Sequence, residues 1–214
     1  MTVIDESAVV WSAPERERAG RPLLVLLHGY GSHEGDLFGL SPHLPLSPVI
    51  ASLRAPNVEG PGYSWFPLAG VSSPSERLDA ANSAALAVLE WLGTTQSTSV
   101  GLLGFSQGGA LALQLLRLAP ERFDYVVQLS GFALEGTQPG DAVLATSRPP
   151  VFWGRGTADQ VIAGAFIEQT DAWLPGHSTL TERIYEDLPH GISQPELSDV
   201  NAFIQQHLPG RRDS

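Results

Sequence analysis

Short apolar runs alternate along this chain with longer segments of helical period. Arg21–Leu27 ends in P-L-L-V-L-L, apolar at every position, as in a central parallel strand covered on both faces. Val49–Leu53, Val100–Phe105, Tyr125–Leu129, Val151–Trp153 and Leu180–Tyr185 repeat the pattern, and Val3–Trp11 is a candidate edge strand. Between them the spacing predicts a short helix over Gly35–Leu40 and longer ones over Pro74–Leu92, Ala110–Ala119, Val161–Trp173 and Pro195–His207. Ser73-Pro74-Ser75-Glu76 is a capping box with Pro at the first helical position, and Leu78, Ala81, Ala85, Leu89 and Leu92 form the stripe that helix would bury. Strands alternating with helices, with no internal repeat and no dividing linker, predict an α/β fold. It is one mainly parallel twisted sheet with helices on both faces, spanning residues 1–208, with residues 209–214 as a frayed tail.

Two stretches resist this reading. Arg54–Ser73 is rich in Gly and Pro and reads as a long loop, of the kind that usually carries function. Its aromatic residues Tyr63, Trp65 and Phe66 either plug the core beneath the loop or wall an apolar pocket. Glu135–Ser147 reads as a loop or short excursion.

Composition narrows the chemistry. The 214 residues carry 12 basic and 23 acidic side chains, a net charge of -11 that disfavours nucleic acid and anionic membrane surfaces and suits neutral or cationic substrates. The absence of Cys removes thiolate nucleophiles and disulfides. All basic residues are Arg, so there is no Schiff-base amine, P-loop Lys or Ser-Lys dyad. The start M-T-V-I-D-E-S lacks a basic region followed by an apolar one, and no run reaches spanning length, so a cytoplasmic location is expected.

One reactive group stands out. Ser106 follows the strand Val100–Phe105 within G-F-S-Q-G-G, a G-x-S-x-G nucleophile elbow that would lift its hydroxyl above the carboxyl edge of the sheet. The N–H of Gln107 would then lie at a helix N-terminus, suited to an oxyanion. The H-G-Y-G turn after the first central strand can aim a second donor, the N–H of Tyr30, at the same point, while His28 is expected to brace that loop through its ring nitrogens. The cluster His33, Glu34 and Asp36 matches no zinc spacing, and a solvated loop with an acidic helix start accounts for it. Asp159 and His190 each follow a predicted strand, so the order Ser106, Asp159, His190 is that of an α/β-hydrolase triad. Asp159 also suits a helix N-cap.

The stretches L-L-H-G-Y-G, S-W-F, G-F-S-Q-G-G-A, L-S-G-F, G-T-A-D-Q-V-I and L-P-H-G-I-S-Q-P-E-L-S-D-V-N-A-F-I resemble the phospholipase/carboxylesterase family of small α/β-hydrolases, which includes the acyl-protein thioesterases. The resemblance spans nearly the whole chain. It implies a fold without a large lid domain, hydrolysis of carboxylic esters or thioesters by Ser106, Asp159 and His190, and an oxyanion hole from Tyr30 and Gln107. No cofactor and no metal are implied. Trp65, Phe66 and Phe132 are expected to contact the acyl group. Pro67 stands where relatives often carry Asp, so their acyl-chain preference does not transfer. The expected partner is a small-molecule ester or thioester, lysophospholipids included, with no nucleic acid and no membrane span; a homodimer is left open. A peptidase or lactonase with the same triad, and a non-catalytic binding protein on the same scaffold, are the alternatives.

Overall fold

The computed structural model describes residues 2–68 and 73–208; the predicted tail 209–214 and part of the Arg54–Ser73 segment lie outside the described residues. Its strands are β1 (Val10–Trp11), β2 (Leu23–Leu27), β3 (Val49–Leu53), β4 (Asn57–Glu59), β5 (Gly62–Ser64), β6 (Val100–Phe105), β7 (Tyr125–Leu129), β8 (Pro150–Gly156) and β9 (Thr179–Tyr185). Its helices are α1 (Glu34–Phe38), α2 (Pro74–Leu92), α3 (Gln107–Leu118), α4 (Asp141–Ser147), α5 (Gly164–His177) and α6 (Gln194–His207).

Seven strands form one sheet in the order β1-β3-β2-β6-β7-β8-β9, parallel throughout except for the antiparallel edge β1. The chain leaves β2 toward β3 on one side and returns to β6 on the other. The crevice outside the carboxyl ends of β2 and β6 is therefore the topological switch point, where open α/β sheets bind ligands.

Side-chain alternation sorts the core into two layers. Leu23, Val25 and Leu27 pack with Ala84, Val88, Leu111, Leu115 and Leu174, beneath α2, α3 and α5. Leu24 and Leu26 pack with Leu37, Val200, Phe203 and Ile204, beneath α1 and α6. Every residue of β2 is buried, which is why the sequence run is unbroken. On α2, Ala81, Ala85 and Leu92 are buried as expected, whereas Leu78 and Leu89 are only partly covered.

The predicted edge strand Val3–Trp11 shrinks to two residues because Asp5 accepts from the N–H and hydroxyl of Ser7 and caps a 3-10 turn over Glu6–Ala8. The Arg54–Ser73 stretch is not without regular structure: β4 and β5 pair antiparallel as a hairpin. The Glu135–Ser147 excursion contains α4, tied down by Arg117. That buried guanidinium donates from Nε and Nη2 to the Asp141 carboxylate, both at 2.9 Å, from Nη1 to Leu134 O at 2.8 Å, and to Gly136 O.

Candidate active site

The site begins with a backbone strain. Ser106 links β6 to α3 at φ 55° and ψ -117°, a region that side chains other than glycine rarely occupy. Its N–H donates to Leu129 O at 2.8 Å, and its carbonyl accepts from Ala110 N at 3.1 Å, so strand and helix hold it from both sides. The flanking glycines are there for close approach. A Cβ on Gly104 would fall 2.2 Å from Gly108 O, and one on Gly108 would fall 1.9 Å from Leu27 O. The turn after β6 can thus fold tightly against the end of β2 only with hydrogen at both positions.

His190 and Asp159 meet across the ends of β8 and β9, with His190 Nδ1 2.7 Å from Asp159 Oδ2. The other carboxylate oxygen accepts from Val161 N at 2.9 Å and Ile162 N at 3.2 Å. Asp159 therefore caps a local turn, as its position suggested, and also binds the imidazole; α5 itself starts later, at Gly164, instead of at Val161. Burial alone would raise the Asp159 carboxyl, but the bond to His190 and the two N–H groups outweigh it and hold the pKa below its ordinary value. An ionised Asp159 fixes the proton of His190 on Nδ1 and leaves Nε2 as an acceptor. The His190 ring rests on Phe105, centroids 4.8 Å apart, beside the elbow.

Across the crevice, the H-G-Y-G loop is braced as expected. His28 is fully buried; its Nδ1 lies 2.7 Å from Gly29 O, and its Nε2 accepts from Ala55 N at 3.1 Å. Burial lowers its pKa, so it serves as a neutral strut. The hairpin clamps the same loop from outside: Gly31 N donates to Tyr63 O at 2.9 Å and Tyr63 N to Ser32 O at 2.8 Å. A Cβ on Gly62 would fall 2.1 Å from Gly31 O, so that approach needs glycine. The N–H of Gln107 lies in the first turn of α3, where no intrahelical acceptor exists.

Ser106, Gln107, His190 and Tyr30 line one cavity of about 380 Å³. Leu68, Phe132, Ile162 and Phe166 form apolar wall, and Ser32 and Asp36 stand at the polar end. Phe132, whose ring lies tilted against that of Phe166 with centroids 4.5 Å apart, lines this cavity. Trp65 and Phe66 do not. Both are buried in the core and neither lines the cavity, which corrects the expectation that they contact an acyl group. The reason is Gln107, whose side chain accepts from Trp65 N at 2.8 Å and donates to Phe66 O at 2.6 Å, while Trp65 Nε1 donates to His28 O at 2.8 Å. The S-W-F segment is thus the floor that ties the elbow to the H-G-Y-G loop. No short-range sequence signal announces it; only the amide at position 107, beside a nucleophile, hints at a second duty.

The cluster after the loop is structural. His33 Nδ1 accepts from Gly35 N to cap α1, Glu34 pairs with Arg54, and Ser32 donates to Asp36 at 2.5 Å. No group of three or more His, Asp or Glu side chains among the described residues is disposed to hold a metal.

The sequence profile described as Phospholipase/Carboxylesterase matches residues 7–208. The chain is 26% identical over 221 residues to acyl-protein thioesterase 1 of Candida albicans, covering 90% of this chain and 94% of that protein. It is 33% identical over 108 residues to acyl-protein thioesterase 1 of Debaryomyces hansenii, an alignment covering 49% of this chain and 47% of that protein. The crystal structure of esterase PE8 superposes with a TM-score of 0.75 at 28% identity, covering 96% of this chain and all of that one. With an α/β-hydrolase fold, no helix among the described residues long and apolar enough to cross a membrane, and a profile match over nearly its full length, the chain belongs to the phospholipase/carboxylesterase family.

Proposed function

We propose that the protein is a serine carboxylesterase hydrolysing short- to medium-chain carboxylic esters or thioesters, with residues 1–208 as one α/β-hydrolase domain. The observation that carries this reading is the bond of 2.7 Å from His190 to Asp159 at the cavity onto which the strained Ser106 opens. In the first half-reaction Ser106 Oγ adds to the ester carbonyl carbon as His190 Nε2 takes its proton. The oxyanion formed is held by the N–H groups of Tyr30 and Gln107. Collapse breaks the bond to the alcohol or thiol, which leaves with the proton from His190, and the acyl group stays on Ser106. Water then adds to the acyl carbon by the same route, releasing the acid and restoring the hydroxyl. Asp159 holds the imidazole in the productive tautomer and stabilises the imidazolium.

Treatment with a fluorophosphonate tests the reading. One equivalent should bond to Ser106, located by peptide mass, and abolish turnover of p-nitrophenyl butyrate. Labelling elsewhere, or none with turnover intact, overturns it.

A further inference from the structure

The cavity differs from end to end in both charge and exposure. Phe132 is 4% and Ile162 9% exposed, so this part of the apolar wall is covered, whereas Leu68 at 41%, Tyr30 at 39% and the exposed Asp36 belong to an open rim. In an acyl-enzyme mechanism the two ends have different tasks. The acyl group remains bonded to Ser106 through the second half-reaction and gains from burial at every methylene. The alcohol leaves first and needs a path to solvent. Burial therefore assigns the acyl group to the wall of Phe132, Ile162 and Phe166, and the leaving group to the rim of Tyr30, Ser32 and Asp36.

That rim has one sign of charge. Asp36 carries the single formal charge lining the cavity among the described residues, and no Arg lines it. Arg54, close by in the fold, is already committed to Glu34 and lies over the Tyr63 ring. One oxygen of Asp36 is engaged by Ser32, which leaves the other to a ligand. The net charge of -11 reinforces the local field.

Resting on the esterase reading above, we infer that Asp36 is a specificity-determining residue that selects esters whose alcohol is cationic or a neutral hydrogen-bond donor and rejects anionic alcohols. A leaving group of net negative charge, such as glycerol phosphate, is the class this rim disfavours. A thioester of a cationic or neutral thiol fits as well as an ester.

Three butyrate esters test this: butyrylcholine, its neutral carbon isostere 3,3-dimethylbutyl butyrate, and O-butyryl glycolate. At low salt kcat/KM should fall from cation to neutral to anion, by about fivefold at each step, the size of one charge pair in a water-like dielectric. At an ionic strength of about 1 M the spread should shrink as the interaction is screened. In Asp36→Asn, whose amide oxygen can still accept from Ser32, the cation-to-neutral ratio should drop toward one. Ser32→Ala, which keeps the carboxylate, should retain the ratio, and this second variant decides the matter if Asp36→Asn fails to fold. Turnover of the neutral ester with no cation preference, a preference lost in Ser32→Ala, or one that survives in Asp36→Asn overturns the inference while leaving the esterase reading intact. Failure to hydrolyse any of the three overturns the esterase reading and this inference with it.

Discussion

The two ends of the sheet follow different rules. The larger cavity, about 580 Å³, opens at the amino ends of β2 and β3 and is lined by Trp11, Trp91, Arg18, Arg21 and Glu15. The smaller, about 380 Å³, opens at the carboxyl ends and holds Ser106 and His190. Volume alone would choose the first, and the proposed chemistry sits at the second. In the amino-end cavity the cations are spent on the fold: Arg18 lies over Trp11 and donates to Ala13 O, and Arg21 donates to Ser47 O. At the carboxyl end, strain and unspent polar capacity collect. Of the four non-glycine residues with positive φ among the described residues, Ser106, Ser130 and Asp187 follow β6, β7 and β9 directly or within two residues, and only Arg148 lies elsewhere. Backbone strain persists where surrounding structure over-determines it, and its concentration at one end supports the site proposed there.

The sharpest way to break that contrast is to alter one residue at each end. Ser106→Ala should lower kcat for p-nitrophenyl butyrate on the order of 10⁶-fold if the triad acts as a unit. Glu15→Ala, in the larger cavity, should leave kcat/KM within about twofold, as surface substitutions away from a site do. Comparable losses from both would mean that the working face has been misassigned. Asp159→Asn tests the next link. It keeps a hydrogen-bonding group beside His190 but stabilises the wrong tautomer, so kcat should fall on the order of 10⁴-fold with the fold intact by circular dichroism. A loss below about tenfold would remove Asp159 from the triad.

Arg117 sharpens the comparison from the opposite side. It stands in the last turn of α3, a helix that starts at the elbow and runs back toward the amino ends. Its guanidinium is 2% exposed and satisfied by Asp141 and two carbonyls, so it supports the fold without touching the cavity. Arg117→Met strands the Asp141 carboxylate and should cost roughly 3–5 kcal/mol in urea unfolding. Below the new midpoint, kcat/KM should change little. A tenfold or greater loss of activity in fully folded protein would show that the two ends are coupled.

How much of this was legible in the chain depended on where each signal resides. β3, β6 and β7 match their predicted bounds because each is a nearly continuous buried run, closed by Ser, Pro or charged residues. Ser106 and Asp159 stood out as candidates because each follows a largely buried run, and His190 because it lies in the loop after the last predicted strand, although the residues of that strand are themselves exposed or half-buried. The β4–β5 hairpin was not: its strands have three residues each, and Val58 at 78% exposure breaks any alternation. The destination of Trp65 and Phe66 was hidden for a different reason. It is set by hydrogen bonds to Gln107 and His28, some forty residues away on either side, and no local period encodes a partner at that distance. Nothing in the sequence singles out Arg117 either, since the carbonyls that hold it lie in an excursion without pattern.

The smallest predicted effect concerns a charge at the carboxyl end that is only half satisfied. Glu196 is fully buried in the first turn of α6; Oε2 accepts from Ser193 N at a long 3.4 Å, and Oε1 has no hydrogen-bond partner among the described residues. A Cβ on Gly154 would fall 2.3 Å from that oxygen, so the carboxyl fills the space the glycine leaves. Burial pushes its pKa up to about 7 from an ordinary 4.5, helped by the nearby Asp199 and opposed by the Ser193 N–H. The folded state therefore binds this proton more tightly than the unfolded chain. Its contribution to stability is fully present below about 4.5 and is lost as pH rises through about 7, on the order of 3 kcal/mol across the window. Glu196→Gln keeps an acceptor for Ser193 and removes the titration. Its thermal midpoint should exceed the wild-type value by roughly 5–10 °C at pH 8 and match it more closely at pH 5. Midpoints that run parallel across that range would show that Glu196 titrates as an ordinary carboxylate, and that the carboxyl end stores its strain in backbone turns alone.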